Sequence, residues 1–333
     1  MRRVDGQMEK IRKVNKYASI DIAKFFLALL VVAIHEMPFV SYSRVVNAFF
    51  VNEICRIAVP LFFLSTGFFL AKKGFEEKVI RDYIKKILKM YIVWSGVYFV
   101  VFIITKGYET DTIIDYMLKV IGGGYAHLWY LYSSIVGVLI SWLLLKKTNL
   151  INQTLIWISL ILYIIGALIN DFWWILPFGL QEAEFVFSFF QHLLFMATPY
   201  ILLGACMNHL EDNIKPNIGK WLFVFAAMLT IENVLLFKFD TCNGYQNNVF
   251  MFPVCGCIFA GLLTVKMENR LNANKMRFFS TYIYLVQGVF IAFVDMILEN
   301  SLAKYVLVLI LCIGFSDIIY IAKHQRKVKN MHY

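Results

Sequence analysis

Apolar runs of about 17 to 22 residues recur along the whole of this 333-residue chain. A helix rises about 1.5 Å per residue, so each run is long enough to cross a hydrocarbon layer roughly 30 Å thick. Lipid offers no partner to a backbone N–H or C=O, so runs of this kind must form helices, which satisfy those groups internally. Composition closes the soluble alternative. The chain is 60% hydrophobic and 16% charged, against about 25% charged residues in ordinary soluble domains. The polar-faced helices that a large soluble surface requires are missing. The fold class implied is an all-α polytopic integral membrane protein with about ten transmembrane helices.

The expected spans are 17–40, 49–70, 87–104, 126–145, 154–170, 189–207, 220–237, 248–265, 279–298 and 303–321. Basic residues give an independent check on that count. With both termini cytoplasmic, the inner segments carry 25 Lys and Arg and the outer segments four, while Lys24, Arg56 and Lys304 lie inside spans. Such a bias is what the positive-inside rule requires, and one span more or less would scramble it. The organisation expected is a basic cytoplasmic segment 1–16, a membrane domain 17–321 and a basic cytoplasmic tail 322–333. The first span reads as retained, because no small-residue cleavage site follows the basic start. The setting expected is a cell membrane, crossed many times. The net charge of +10 is spread over inner loops, which suits anionic lipid and argues against nucleic acid as a partner.

Five of the six cysteines lie in apolar runs, and Cys242 stands alone in a short loop. They make no disulfide or zinc pattern, so no metal and no permanently bound cofactor is expected. The inner stretch KKGFEEKVIRDYIKKILK reads as an interfacial helix leading into the third span. Its basic face suits anionic lipid, or an anionic nucleotide group approaching from the cytoplasm. The longest outer segments are TKGYETDTIIDYMLKVIGGGYA and NDFWWILPFGLQEAE, where Trp173 and Trp174 fit an interfacial belt.

Ionisable groups inside these runs are the candidate site. Lys24 and His35 are eleven residues apart, which puts them within about 20° of one face and roughly 16 Å apart along a helix. Asp21 lies near that face and can pair with Lys24. Glu36 follows His35 and can bound the same cavity. In the second span Glu53 and Arg56 stand at i, i+3 and can neutralise one another, Gly67 permits close helix packing, and Pro60 can bend the helix. His127 and Trp129 open the fourth span after three glycines; His192 enters the sixth, Glu232 sits in the outer half of the seventh, and Gln287 is at mid-depth in the ninth. Such groups are costly in lipid and normally face a bundle interior. Scattered anchors would not need His, Glu and Arg on four or five spans, so a shared polar cavity is the sharper reading.

Histidine exists in both protonation states near neutral pH, and a carboxylate beside it can orient the ring. That suits a general base taking a proton from a hydroxyl as it attacks an acyl donor, with Lys24, Arg56 or His127 neutralising donor phosphates or the developing oxyanion. Proton-coupled transport of a small polar metabolite such as an amino acid uses the same residue types. A silent scaffold for other envelope enzymes is a third reading.

The stretches SIDIAKFFLALLVVAIHE, RIAVPLFFLSTGFFL, HLWYLYSSIVG and STYIYLVQ, in that order and spacing, resemble the membrane-bound acyltransferase-3 family over about residues 17 to 321. The chain is also similar to the membrane domains fused to serine racemases in glycopeptide-resistant bacteria. The resemblance implies ten helices and transfer of an acyl group, commonly acetyl, from cytoplasmic acyl-coenzyme A to a hydroxyl of an envelope glycan or lipid-linked sugar. It places the family's first-span histidine at His35 and its basic partner at Lys24. The acid and arginine of the second span fall at Glu53 and Arg56, and the histidine before tryptophan at His127. His35 is then the general base, with Glu36 or Glu53 in support. Lys24 and Arg56 stabilise donor or oxyanion, while His127, Trp129, His192, Glu232 and Gln287 line the cavity or the acceptor. Three departures stand out. Lys24 replaces an arginine and lacks its planar fork. His192 stands where many members carry arginine, and Gln287 replaces a histidine with a side chain that cannot act as a base.

Overall fold

The computed structural model describes residues 17–107, 109–122, 126–147, 152–171, 191–211, 214, 216–239, 248–265 and 272–329. Trp173, Trp174, Cys242, three inner segments (1–16, 148–151 and 266–271) and the glycines at 123 and 124 lie outside the described residues.

Twelve α-helices are described: α1 (Ala18–Glu36), α2 (Arg44–Phe49), α3 (Ala58–Ala71), α4 (Glu77–Lys106), α5 (Thr110–Ile121), α6 (Trp129–Lys147), α7 (Asn152–Asp171), α8 (Thr198–Leu210), α9 (Ile218–Phe239), α10 (Met251–Thr264), α11 (Ala273–Val294) and α12 (Ser301–Lys329). Among the described residues eight helices are long and apolar enough to cross a membrane, and two shorter apolar helices, Gln153–Ile169 and Met251–Thr264, fall on the expected fifth and eighth spans. The protein is therefore an all-α, multi-pass membrane protein. Helix ends alternate between two ends of the bundle. One holds the start of α1 and the end of α12 and is called the basic end; the other holds His35 and is called the histidine end.

Burial sorts the helices into core and perimeter. α3 packs along α8, and α1 along α11, making the centre of the bundle. Gly67 and Gly204 explain how closely α3 and α8 approach. A Cβ at Gly67 would meet the backbone carbonyl of Ile201, and one at Gly204 that of Leu64. Small residues at a membrane helix crossing allow this contact, which van der Waals packing rewards. α4, α7, α9 and α12 turn large apolar side chains outward, among them Ile92, Val100, Trp157, Ile161, Phe223 and Ile310. That is the inverse of a soluble surface and the pattern expected of lipid-facing helices.

Three local features shape the histidine end. First, α1 stops at Glu36, earlier than the expected boundary at 40. Met37 takes a left-handed conformation (φ 46°) and its N–H caps Ala33, and Pro38 has no N–H to continue the ladder. His35 thus occupies the last turn of α1. Second, α3 is preceded by a π turn, Phe50–Ile54, and a 3-10 turn, Cys55–Ile57. Pro60 in the first turn of α3 leaves the carbonyl four residues earlier without its helical donor, so the helix is irregular there. Pro199 stands likewise just after a second π segment, Gln191–Ala197. Irregular turns of this kind concentrate at functional sites because they re-aim side chains.

Third, the outer segment after α4 is not an extended loop. α5 runs back along α4, with the Tyr116 hydroxyl donating to Ser95 O and the Tyr91 hydroxyl donating to Val120 O. Tyr91 is fifteen residues from the end of α4, roughly 22 Å along its axis. The chain therefore re-enters α6 well below the tip of α4, and His127 arrives beside Tyr98. The expected interfacial helix is likewise not separate: its basic stretch forms the first turns of the 30-residue α4.

Candidate active site

Lys24 lies on α1 toward the basic end, with its Nζ 5.0 Å from the centre of the Phe69 ring. It lines a cavity of about 730 Å³ together with Lys86 and Lys89 of α4, Arg277 of α11 and Lys323 of α12. No carboxylate lines this cavity among the described residues. Like charges gathered around one cavity repel, and a bound anion would relieve that repulsion. Asp21 offsets part of that repulsion: it is buried, and the Arg277 guanidinium lies 3.8 Å from its carboxylate. Asp21 thus acts electrostatically on Lys24, as its helical spacing predicts, and on Arg277 of α11 as well. Tyr83, Thr66 and Ser65 supply hydroxyls on the same walls, and the volume falls within the roughly 300–1,000 Å³ of ordinary ligand sites.

The same cavity is walled by Tyr130, Leu131, Tyr284 and Leu285. Two of these, Tyr284 and Leu285, also belong to the surroundings of His127. The Tyr284 hydroxyl donates to His127 O, and the Tyr98 hydroxyl, 3.2 Å from His127 Nε2, donates to Leu285 O at 2.9 Å. Gly288 makes the packing possible, because a Cβ there would lie 2.8 Å from both His127 Cε1 and the Tyr98 oxygen. His127 is buried, at 3% exposure. His35, which is exposed, lies near it, with ring centroids 6.0 Å apart and planes 65° apart.

Arg56 is the cation nearest in electrostatic influence to His35, and its Nε donates to Asn52 Oδ1 at 3.0 Å. The irregular turns before α3 separate it from Glu53, so the expected Glu53–Arg56 pair does not form. Glu53 instead faces α9 and accepts from Thr230 Oγ1 at 3.1 Å. Glu36 also points away from His35. It is buried among groups on and before α12, with Asp295, Lys304 and Cys312 as its electrostatic neighbours. The expected carboxylate support for His35 is therefore absent on both counts: one acid serves α9 and the other α12.

The remaining expected residues separate. Trp129 and His192 pack ring on ring, with centroids 4.2 Å apart. Gln287 is fully buried beside Gly288, and its Nε2 donates to Tyr284 O at 3.2 Å. Glu232 does not line the cavity. Its carboxylate accepts from Val249 N (2.7 Å) and Phe250 N (3.0 Å), capping the start of α10. Glu232→Ala should leave those two donors without a partner and lower stability by about 1–3 kcal/mol, read as a drop in thermal midpoint in detergent.

Sequence reading missed the roles of Tyr98, Tyr284, Gly288, Arg277 and Lys323. A tyrosine in an apolar run reads as core, and Arg277 and Lys323 read as ordinary inner-loop charges. At the basic end a further network ties α1, α3 and α8 together. Lys72 sits 2.6 Å from Glu211, which also accepts from the Tyr17 hydroxyl, and this carboxylate holds the Lys72 ammonium above its ordinary pKa.

Comparison with known proteins agrees with this architecture. Two Enterococcus faecalis proteins named amino-acid racemase are similar, one 26% identical over 318 residues (89% of this chain, 44% of the relative) and one 24% identical over 332 residues (93% and 47%). A serine/alanine racemase of Enterococcus gallinarum is 26% identical over 337 residues, again 93% of this chain and 47% of the relative. The chain thus spans about half the length of these curated relatives. No solved structure matches it. A family model described as an acyltransferase domain matches residues 17–321, essentially all of the helical bundle, and on that match the chain belongs to the acyltransferase-3 family of multi-pass membrane proteins.

Proposed function

We propose that this protein is a membrane O-acyltransferase that moves an acyl group, acetyl in the simplest case, from acyl-coenzyme A to a hydroxyl of an envelope glycan or lipid-linked sugar. The observation that carries the reading is the cation-lined cavity, whose wall includes Tyr284, the residue that bonds to the His127 carbonyl. Its mouth lies at the basic end, which the charge bias makes cytoplasmic. The phosphates of the donor meet Lys86, Lys89, Arg277 and Lys323. Its flexible arm passes Lys24 toward the histidines, roughly 16 Å further along α1.

At the histidine end the acceptor oxygen attacks the thioester carbonyl while His35 takes its proton. Arg56 faces the negative charge that develops on the carbonyl oxygen. Collapse of the tetrahedral intermediate breaks the carbon–sulfur bond, and the departing thiolate takes the proton back from His35.

The test is binding of radiolabelled acetyl-coenzyme A to the protein in lipid nanodiscs, followed by release or transfer of the label. Arg277→Gln should raise the donor KM about ten- to a hundredfold, since one charge-assisted contact contributes about 1.5–3 kcal/mol, and leave kcat largely unchanged. Absence of binding by acetyl- and longer acyl-coenzyme A would overturn the reading and favour passage of a small polar metabolite.

A further inference from the structure

The walls of the cationic cavity are not charged all round. At about 100° per residue, Tyr83, Ile87, Met90 and Trp94 of α4 fall within about 60° of one another, and Lys86, Lys89 and Val93 form a second strip beside them. Both strips line the cavity. The first brings a phenol to α3 and α6. Thr66 of α3 and Ser134 of α6 are hydrogen-bonding neighbours of the Tyr83 hydroxyl and of the Tyr130 hydroxyl alike. Hydroxyls from three helices thus gather in one cluster. Tyr83, Tyr130 and Thr66 line the cavity, with Ser65 beside them, and Ser134 is fully buried. Hydroxyls inside a membrane bundle commonly serve helix packing alone. This cluster differs in facing a volume of about 730 Å³.

Its chemistry is neutral and two-sided. The Ser65 and Thr66 hydroxyls donate to Phe62 O at 2.8 and 3.0 Å. With those protons bonded there, the two side chains offer a ligand lone pairs, while a phenol offers a proton as well. Neutral donors and acceptors side by side match a group that presents N–H and C=O together and carries no charge, which is an amide. A phosphate needs cations, and those lie on the neighbouring strip of α4 and on α11 and α12. We propose that Thr66, Tyr83 and Tyr130 form the subsite for the amide-bearing arm of the donor, apart from the cations that hold its phosphates. The assignment rests on the acyltransferase reading and divides the cavity into a charged face and a neutral one. Tyr130 also links the arm to the chemistry. Its ring centroid lies 5.4 Å from that of Tyr284, whose hydroxyl bonds to the His127 carbonyl.

The test compares two ligands at equilibrium with the protein in nanodiscs. One is acetyl-coenzyme A; the other is 3′-phosphoadenosine diphosphate, which keeps the charged head and lacks the arm. Thr66→Val, Tyr83→Phe and Tyr130→Phe preserve shape and delete a hydroxyl. Each should weaken acetyl-coenzyme A about two- to tenfold, the range of one neutral hydrogen bond, and leave the affinity for the head unchanged. Unchanged head binding shows at the same time that the variant is folded. Arg277→Gln should weaken both ligands. Three results would overturn the subsite: native protein that binds the head as tightly as acetyl-coenzyme A, hydroxyl variants that weaken both ligands equally, or variants that weaken neither. If the native protein binds neither ligand, the acyltransferase reading fails and takes the subsite with it. If it binds acetyl-coenzyme A and gives any of those three results, the subsite alone fails.

Discussion

Gly67→Val and Gly204→Val are each expected to yield almost no folded protein. At both positions the new Cβ would collide with a backbone carbonyl of the partner helix, of Ile201 and Leu64 respectively. A flexible side chain could swing aside, but a helix backbone can relieve the clash only by moving as a unit. α3 and α8 lie at the centre of the bundle, so that movement would disturb the irregular turns that carry Arg56 and His192. Overpacking of a core costs about 1–3 kcal/mol when side chains can adjust, and more where they cannot; a backbone collision belongs to the second case. Size-exclusion chromatography of a fluorescent fusion, with a thermal melt, checks the result. Gly96→Ala is the control, because a Cβ there meets nothing within 4 Å. Normal folding of either valine variant would mean that α3 and α8 are held apart.

His35→Ala is expected to reduce acyl transfer about a thousandfold while leaving donor binding intact. A positioned general base contributes about 10²–10⁴, and Lys24, the nearest cation of the cavity along the same helix, is some three turns away. The exposed position of His35 in the last turn of α1 makes the substitution mild for the fold. The measurement is single-turnover transfer of label alongside equilibrium binding of acetyl-coenzyme A. Binding retained with transfer lost places the residue in chemistry. Full transfer by the alanine variant would remove His35 from the mechanism and pass the base to another group. Arg56→Gln, compared in the same assay, should lower turnover without changing donor binding, as expected of a charge that acts on the oxyanion.

The two glycines show how legibility differed along the chain. Gly67 was readable as a packing site because small residues on membrane helices rarely serve another end. Gly288 was not, since its reason lies in a tyrosine and a histidine from two other helices. The ion pairs expected from helical spacing divided for the same kind of reason. Asp21 and Lys24, on the regular helix α1, keep their electrostatic attraction, with Arg277 sharing the carboxylate. Glu53 and Arg56 do not pair, because the π and 3-10 turns of residues 50–57 rotate Glu53 away from Arg56. Glu232 looked like a site acid and proved to be a helix cap, because the donors it satisfies begin a helix that sequence spacing cannot place beside it.

By itself the sequence determined that this is a helical, multi-pass membrane protein, and it singled out His35, Lys24 and His127. Those conclusions follow from hydropathy, from the distribution of basic residues and from short motifs. All are properties of local stretches, and local physics, the need of a lipid-embedded backbone to bond to itself, enforces them. Only the tertiary structure decided which groups meet: that five cations from four helices share one cavity, that His127 comes to rest between Tyr98 and Gly288, and that the carboxylates turn elsewhere. Contacts between helices depend on small differences in axial shift and rotation. Those are set by where α5 doubles back, where Pro60 breaks the ladder and how closely two glycines let α3 and α8 approach, and no periodicity within a single run records them.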